Sequence, residues 1–438
     1  MKEERSVRLR EYGLTIGTLG SNASQTLIIA LLPVLLGRYT QSAAVIGAVI
    51  GSEGLLAILV PYWVGHLSDH MPETWARRVG RRTFFLWISA PLMGGALVLV
   101  PFLHGFWPLA MSGILFFAAL QGYMTPLWAL MIDSVPDERR AMVQGVRGAF
   151  QAIGLAFGLI VAGLLFELWE PLPFFTAAFL LIGSTWLTVL SAPSDRGRAA
   201  LLQPGKPKAP VWRRLLKRPE IRWFLLASAL WNGAIDGIRP YIFLYAAAVF
   251  GISVGGTSGL LVFLMLGVGL GAVAIGRLSN VFGRARLLSI SAAVCGIAML
   301  LAYFPRQPSG IVGLLAFAGL AAAAFLALPF PLYARLAGDE APGRQTALYI
   351  VSIGIARMVA PVIIGVVIDL GARFKPELGG YPFMWVAAGT MALLSVPALR
   401  RAVSAARAGR RDQPADAGSA RHAGHGSAAG SGRDETGA

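Results

Sequence analysis

Three ionisable residues stand close to the middle of long apolar runs of this chain, Glu53, Asp236 and Arg357, and Arg239 sits one turn beyond Asp236. A charge in hydrocarbon is costly, so such residues face a protein interior or a water-filled cavity and mark ion or solute pathways. Asp236 and Arg239 are three apart, which puts them on one helical face. Pro240 follows Asp236 by four residues, and Pro361 follows Arg357 by four. Proline has no N–H, so the carbonyls of Asp236 and Arg357 lose their helical donor and the helix tends to kink there. In a membrane those carbonyls need protein or water as a partner. The pattern predicts that Asp236 and Arg357 line a central cavity. The competing reading is that Asp236 and Arg239 only neutralise each other to hold helices together. Glu53 has no cation within its own apolar run. It is the first expected proton carrier, with Asp236 second. The alternative is a permanently protonated Glu53 that donates a hydrogen bond between helices.

Uncharged polar residues in the apolar runs extend this set. Asn22, Gln25, Gln121, Gln151 and Asn232 could hydrogen-bond a polar solute, alongside Arg239 and Arg357. Trp128, Trp231, Tyr245 and Tyr349 could stack on it, or could simply pack against lipid. Apolar walls with a few fixed polar groups are what small-molecule sites look like. Other chemistry lacks its residues. The single cysteine, Cys295, excludes an internal disulfide and any cysteine-cluster metal site. It is expected as a buried, inert thiol. His66 and His70 are four apart but have no third ligand, so no metal is expected. The sequence carries no Walker-type phosphate loop and no nucleophile–base pair, so neither ATP, nor another cofactor, nor an enzymatic reaction is expected.

The elements that position these residues are membrane spans. The chain is 56% hydrophobic and 14% charged, against about 25% charged in ordinary soluble domains. Twelve apolar runs are long enough to cross a bilayer: roughly 12–37, 43–65, 83–103, 107–132, 142–166, 172–192, 221–247, 257–280, 286–304, 310–334, 346–370 and 380–399. With the N-terminus inside, 32 of the 38 Lys and Arg residues fall on cytoplasmic segments. Arg38, Arg306, Arg373 and Lys375 fall on outer loops, and Arg239 and Arg357 lie within spans. This positive-inside bias places both termini in the cytoplasm of a cell-membrane protein. It also accounts for the net charge of +16 through anionic lipid headgroups, without a nucleic-acid partner.

The expected organisation is a six-helix bundle over 1–192, a cytoplasmic linker over 193–220, a second bundle over 221–400, and a disordered tail over 401–438. The tail is rich in Ala, Gly, Ser, Arg and His, too polar to bury a core. Neither linker nor tail reads as a folded soluble domain, which argues against a sensor or receptor. The halves repeat. Gly65-His66-Leu67-Ser68-Asp69 returns as Gly276-Arg277-Leu278-Ser279-Asn280 at an offset of 211. Pro126-Leu127-Trp128-Ala129 returns as Pro331-Leu332-Tyr333-Ala334 at 205, and Asn22 returns as Asn232 at 210. Matches at nearly one offset mark an internal repeat. Two repeated halves imply a cavity between them with a solute site near the bilayer midplane.

The loop Gly65-His66-Leu67-Ser68-Asp69 followed by Gly80-Arg81-Arg82 resembles the signature of the major facilitator superfamily. The resemblance covers nearly the whole chain. It implies an all-α integral membrane fold: twelve transmembrane helices as two pseudo-symmetric six-helix bundles that alternate access to a central site. Within that superfamily, Arg77, Arg78 and Gly80-Arg81-Arg82-Thr83-Phe84 resemble the sucrose and glycoside–pentoside–hexuronide symporters, although the third Arg and the Pro of their loop are missing. Gln121, Pro126, Leu130 and Asp133 resemble their fourth span. The resemblance implies a proton-coupled symporter of a small polar solute such as a sugar or glycoside, working as a monomer. The alternative is a proton-driven exporter of amphipathic compounds, against which Ala118 stands where exporters carry an arginine. The resemblance also implies a cytoplasmic gate of Gly65, Asp69, Arg77, Arg78, Gly80, Arg81 and Arg82. Gly65 would permit close helix approach, and Asp133 with Arg139 and Arg140 would add a second lock. Asn280 cannot carry the charge of Asp69, so the second half's latch is expected to be weaker.

Overall fold

The computed structural model describes residues 10–69, 71, 80–192, 215–337 and 342–411. The described residues form helices joined by short turns. In the first half these are α1 Gly17–Leu36, α2 Ala43–Asp69, α3 Thr83–Leu99, α4 Phe106–Ser134, α5 and α6 Leu172–Ser191. α5 has three pieces: Asp137–Ala156, a π-helical stretch Phe157–Val161, and Ala162–Leu168. In the second half, α7 comprises Pro219–Ile238, a 3-10 turn Arg239–Tyr241 and Ile242–Phe250. Then follow α8 Val254–Phe282, α9 Arg284–Leu301, α10 (Pro308–Ala327 and Pro329–Ala337), α11 Pro342–Gly371 and α12 Phe383–Arg411.

Eleven of these are long and apolar enough to cross a membrane. The remaining one is α7, whose first piece carries Glu220, Arg222, Asn232 and Asp236. Its break at Arg239–Tyr241 falls where Pro240 removes a helical donor. α11 behaves differently and stays helical through Pro361. α12 also departs from expectation. It continues to Arg411, into the segment expected as a disordered tail. Ala398, Leu399 and Ala402 are buried, and Arg401 lies over the Trp223 ring at 4.7 Å. That packing holds the helix beyond the expected apolar run 380–399.

The two halves pack alike. α1 lies against α5 and α6, α2 against α4, and α3 against α4 and α6. In the second half α7 lies against α11 and α12, α8 against α10, and α9 against α10 and α12. Each contact in one half is its counterpart in the other, six helices along. Between the halves α2 runs antiparallel to α11, and α5 meets α8. Gly47, Gly51 and Gly54 turn toward Pro361, Met358 and Gly354. Without side chains at these three positions the two backbones come into direct contact, as small residues permit in membranes. The C-terminal ends of α2, α8 and α10 lie on one side, the basic face. The loops after α1, α5, α7 and α11 lie on the other, the far face. The main contacts between halves involve the far-face portions of α2, α5, α7, α8 and α11.

Candidate functional site

The intramembrane charges converge. Glu53 comes from α2, Asp236 and Arg239 from α7 at its break, and Arg357 from α11. Arg239 Nη1 donates to Asp236 Oδ1 at 3.0 Å, the i, i+3 pair the spacing predicts. Arg357 Nε donates to Asp236 Oδ2 at 3.1 Å. Arg357 Nη1 also lies 3.6 Å from Glu53 Oε1. Gln25 Nε2, from α1, donates to Glu53 Oε1. Two carboxylates, two guanidiniums and one amide thus form one connected group drawn from both halves. Glu53 is 4% exposed, buried at the α2–α11 contact. Ile29, Ile50 and Pro361 complete a cavity of about 10 Å³ beside the charges, room for about one water molecule.

The local folding explains this convergence. The direct backbone contact at Gly51 and Gly54 sets α11 against α2, so Arg357 reaches Glu53. The 3-10 turn at Arg239–Tyr241 carries Tyr241 to the same interface, where its hydroxyl donates toward Pro361 O at 2.6 Å and Ala43 O at 2.9 Å. Glu53 has no cation within its own span. Its cation comes from the other half, a relation no spacing along the chain encodes.

The other expected solute contacts are distributed differently. Asn22 Nδ2 donates to Thr18 O at 2.9 Å, and its repeat partner Asn232 donates to Ser228 O at 2.8 Å. Each amide ties back to its own helix one turn earlier. Gln121 is partly buried on α4, and Gln151 is exposed on α5. Trp231 is fully buried among Phe224 and Phe325, and Tyr349 stacks on Tyr333, so these rings pack the second half's own core. Tyr245 packs against Phe250 and Trp385. Trp128 is 42% exposed, with the Arg147 guanidinium 4.1 Å above its ring. Arg147 was missed: it counts among the cytoplasmic arginines by sequence, yet it sits well inside the first piece of α5. Its signal was the spacing Val143, Arg147, Phe150, Gly154, which is the stripe α5 turns toward its neighbours.

The basic-face cluster is described only in part. Arg77 and Arg78 lie outside the described residues, and so does the side chain of Asp69. Gly80 has φ 83°, the left-handed turn that favours glycine. Gly65 does not support a close approach: a side chain there would meet nothing within 4 Å among the described residues. Arg82 Nε lies 3.5 Å from Asp133 Oδ2, joining the start of α3 to the end of α4. Arg81 is partly buried beside it. Arg139 was expected to pair with Asp133. It turns instead to Glu11, at 3.2 Å, in the short helical stretch 10–13 that precedes α1. Arg140 donates to the carbonyls of Ile132 and Val135, capping α4. These contacts all lie within the first half.

A helical protein of two repeated halves, with charges joined across their interface in mid-membrane, has the architecture of a multi-pass solute transporter. The sequence model of the Major Facilitator Superfamily matches residues 14–273 and 256–427. The chain belongs to that superfamily; it is a transporter and not an enzyme. Solved structures share the fold. A bacterial homologue of the human lysosomal transporter Spinster, in an inward-facing and unoccupied conformation, aligns with TM-score 0.72 at 14% identity, covering 94% of this chain and 99% of that one. The nucleoside transporter NupG aligns with TM-score 0.71 at 16% identity, covering 90% and 99%. No curated protein matches the sequence closely enough to count.

Proposed function

We propose that the protein is a proton-coupled symporter of a small polar solute and that Glu53 carries the coupled proton. The observation that carries this reading is the asymmetry of the charge group. Asp236 holds two ion pairs, at 3.0 and 3.1 Å, whereas Glu53 holds one at 3.6 Å. Neutralising Glu53 therefore breaks a single cross-half contact and leaves the Asp236 pairs in place. Glu53 and Arg357 belong to different halves, so a proton on Glu53 loosens the interface whose opening and closing is transport. The positive-inside bias supports both termini being cytoplasmic in the cell membrane. In that orientation the far-face contacts give an inward-facing state. A sugar or glycoside fits the resemblance of the loop and the fourth span. NupG's nucleosides carry a sugar too, which places them on the panel to test. One chain holds both halves, which supports a functional monomer.

Purified protein in proteoliposomes tests this, with labelled sugars, glycosides, nucleosides and a lipophilic cation under an imposed pH gradient. Uptake of a polar solute that an uncoupler collapses is expected. Glu53→Gln is expected to keep solute exchange at zero gradient and to lose gradient-driven accumulation at least tenfold. Accumulation unchanged in Glu53→Gln removes Glu53 from the coupling step. Extrusion of the lipophilic cation, with no uptake of a polar solute, favours the exporter.

A further inference from the structure

The far face carries a carboxylate from each half that caps a helix of the other half, and the two arrangements are the same one repeated. Asp369, at the end of α11, accepts from Ser42 Oγ at 2.7 Å, from the backbone N–H of Ala43 at 2.7 Å and from that of Ala44 at 3.1 Å. These groups form the N-terminus of α2. Glu167, at the end of α5, accepts from the backbone N–H of Gly255 at 2.9 Å, and the Ser253 hydroxyl hydrogen-bonds to it as well. These groups form the N-terminus of α8. Ser42 and Ser253 are separated by 211 residues, as are Ala44 and Gly255. That is the offset of the Gly65 and Gly276 repeat. Each serine also accepts from the N–H three residues on: Val45 N at 3.4 Å in α2 and Gly256 N at 3.2 Å in α8. The serine hydroxyl thus passes its own helix's cap to the other half's carboxylate.

From this geometry we infer that Asp369 and Glu167 are paired latches that hold the far face of the transporter closed. The physical basis is simple. A helix N-terminus leaves N–H groups without partners and carries partial positive charge. A carboxylate satisfies both, through hydrogen bonds stronger than neutral ones. Because donor and acceptor sit on different halves, these bonds break whenever the far face opens. Stabilisation is therefore given to the closed state alone. The serine supplies a capping oxygen for the helix once the carboxylate has left, so opening does not strip the helix end.

The two latches are unequal. Asp369 is partly buried and makes three bonds, with Tyr241 packed on the same α2 turn. Tyr381, in the loop after α11, is its other neighbour. Burial first, and then the Asp369 charge, push that phenol up to about 12, so it stays neutral beside the carboxylate. Glu167 is exposed, and water and salt screen its bonds. The latches act on far-face closure whatever solute is carried and whether or not a proton is coupled.

Far-face opening in the full-length protein tests it. Ile50→Cys, in a Cys295→Ser background, lies behind the latch and is labelled by an impermeant thiol reagent added only on the far-face side of sealed, oriented vesicles. Asp369→Asn is expected to raise the labelling rate about tenfold, the weight of a hydrogen bond to a charged group. Ser42→Ala is expected to raise it several-fold, and Glu167→Gln to raise it less than Asp369→Asn. A merely structural role would lower the melting temperature and leave labelling unmoved. Unchanged labelling in Asp369→Asn and Ser42→Ala, with both proteins monodisperse, overturns the latch. If Asp369→Asn does not fold, Ser42→Ala decides alone.

Discussion

Arg357 sits between two carboxylates, and its position sets what each substitution in the charge group costs. Removing it leaves Glu53 with the Gln25 amide alone and Asp236 with Arg239 alone. Breaking a buried ion pair from one side costs about 3–5 kcal/mol because a charge stays behind unpaired. Arg357 is about one-third exposed, so the lower end of that range applies. Arg357→Leu is therefore expected to destabilise the protein by about 3 kcal/mol, read as a fall in melting temperature. Glu53→Gln added to Arg357→Leu removes one of the stranded charges. The double variant is expected to be more stable than the sum of the single losses, by about 1 kcal/mol. Strict additivity would mean that Glu53 and Arg357 do not interact. This group also marks the limit of reading along the chain. Asp236 and Arg239 were legible as a pair because a helix relates neighbours at i, i+3. Arg357 could be recognised only as an expensive charge that needs some partner. Which partner it has depends on how α2, α7 and α11 are set side by side.

At the scale of elements, the α2–α11 contact governs whether that group can assemble. A side chain at Gly54 would collide with the backbone of Gly354 and Met358, and one at Gly51 with the carbonyl of Met358. Backbone cannot yield as a flexible side chain can. Gly54→Val is expected to cost about 1–3 kcal/mol through overpacking and to part Glu53 from Arg357. Gly65→Ala, with open space around it among the described residues, is expected to stay within about 0.5 kcal/mol, as surface substitutions do. Thermal melts of the two variants check the contrast. A Gly54→Val protein as stable as the parent would show that the backbones need not touch. The helices themselves were legible because apolar runs of membrane length have few other uses. α7 was legible as a span but not as a break of defined extent. The last helix outran its apolar run because Ala and Arg are good helix formers. The same physics misled at α5, whose polar beginning looks like a loop in composition and is helix in fact.

At the scale of the whole molecule, the repeat decides which state the protein rests in. On the basic face the repeat is broken: Asp69 has Asn280 as its counterpart, so one half lacks the charge its partner carries. On the far face the repeat is intact. Asp369 and Glu167 both carry charge, and both serines are kept. Cross-half bonds are thus duplicated on the far face, which favours far-face closure. Alternating access requires that this closure be reversible, and a covalent substitute for the latch makes the requirement measurable. Ser42 Oγ and Asp369 Oδ2 are 2.7 Å apart, so a Ser42→Cys, Asp369→Cys pair brings two thiols within reach of each other. Cys295 is buried and does not compete. Under oxidation the pair is expected to lock the far face, reducing solute flux at least tenfold, and reductant should restore it. Undiminished flux through fully cross-linked protein would mean that the far face never opens there, and that solute does not pass by rocking of the two halves.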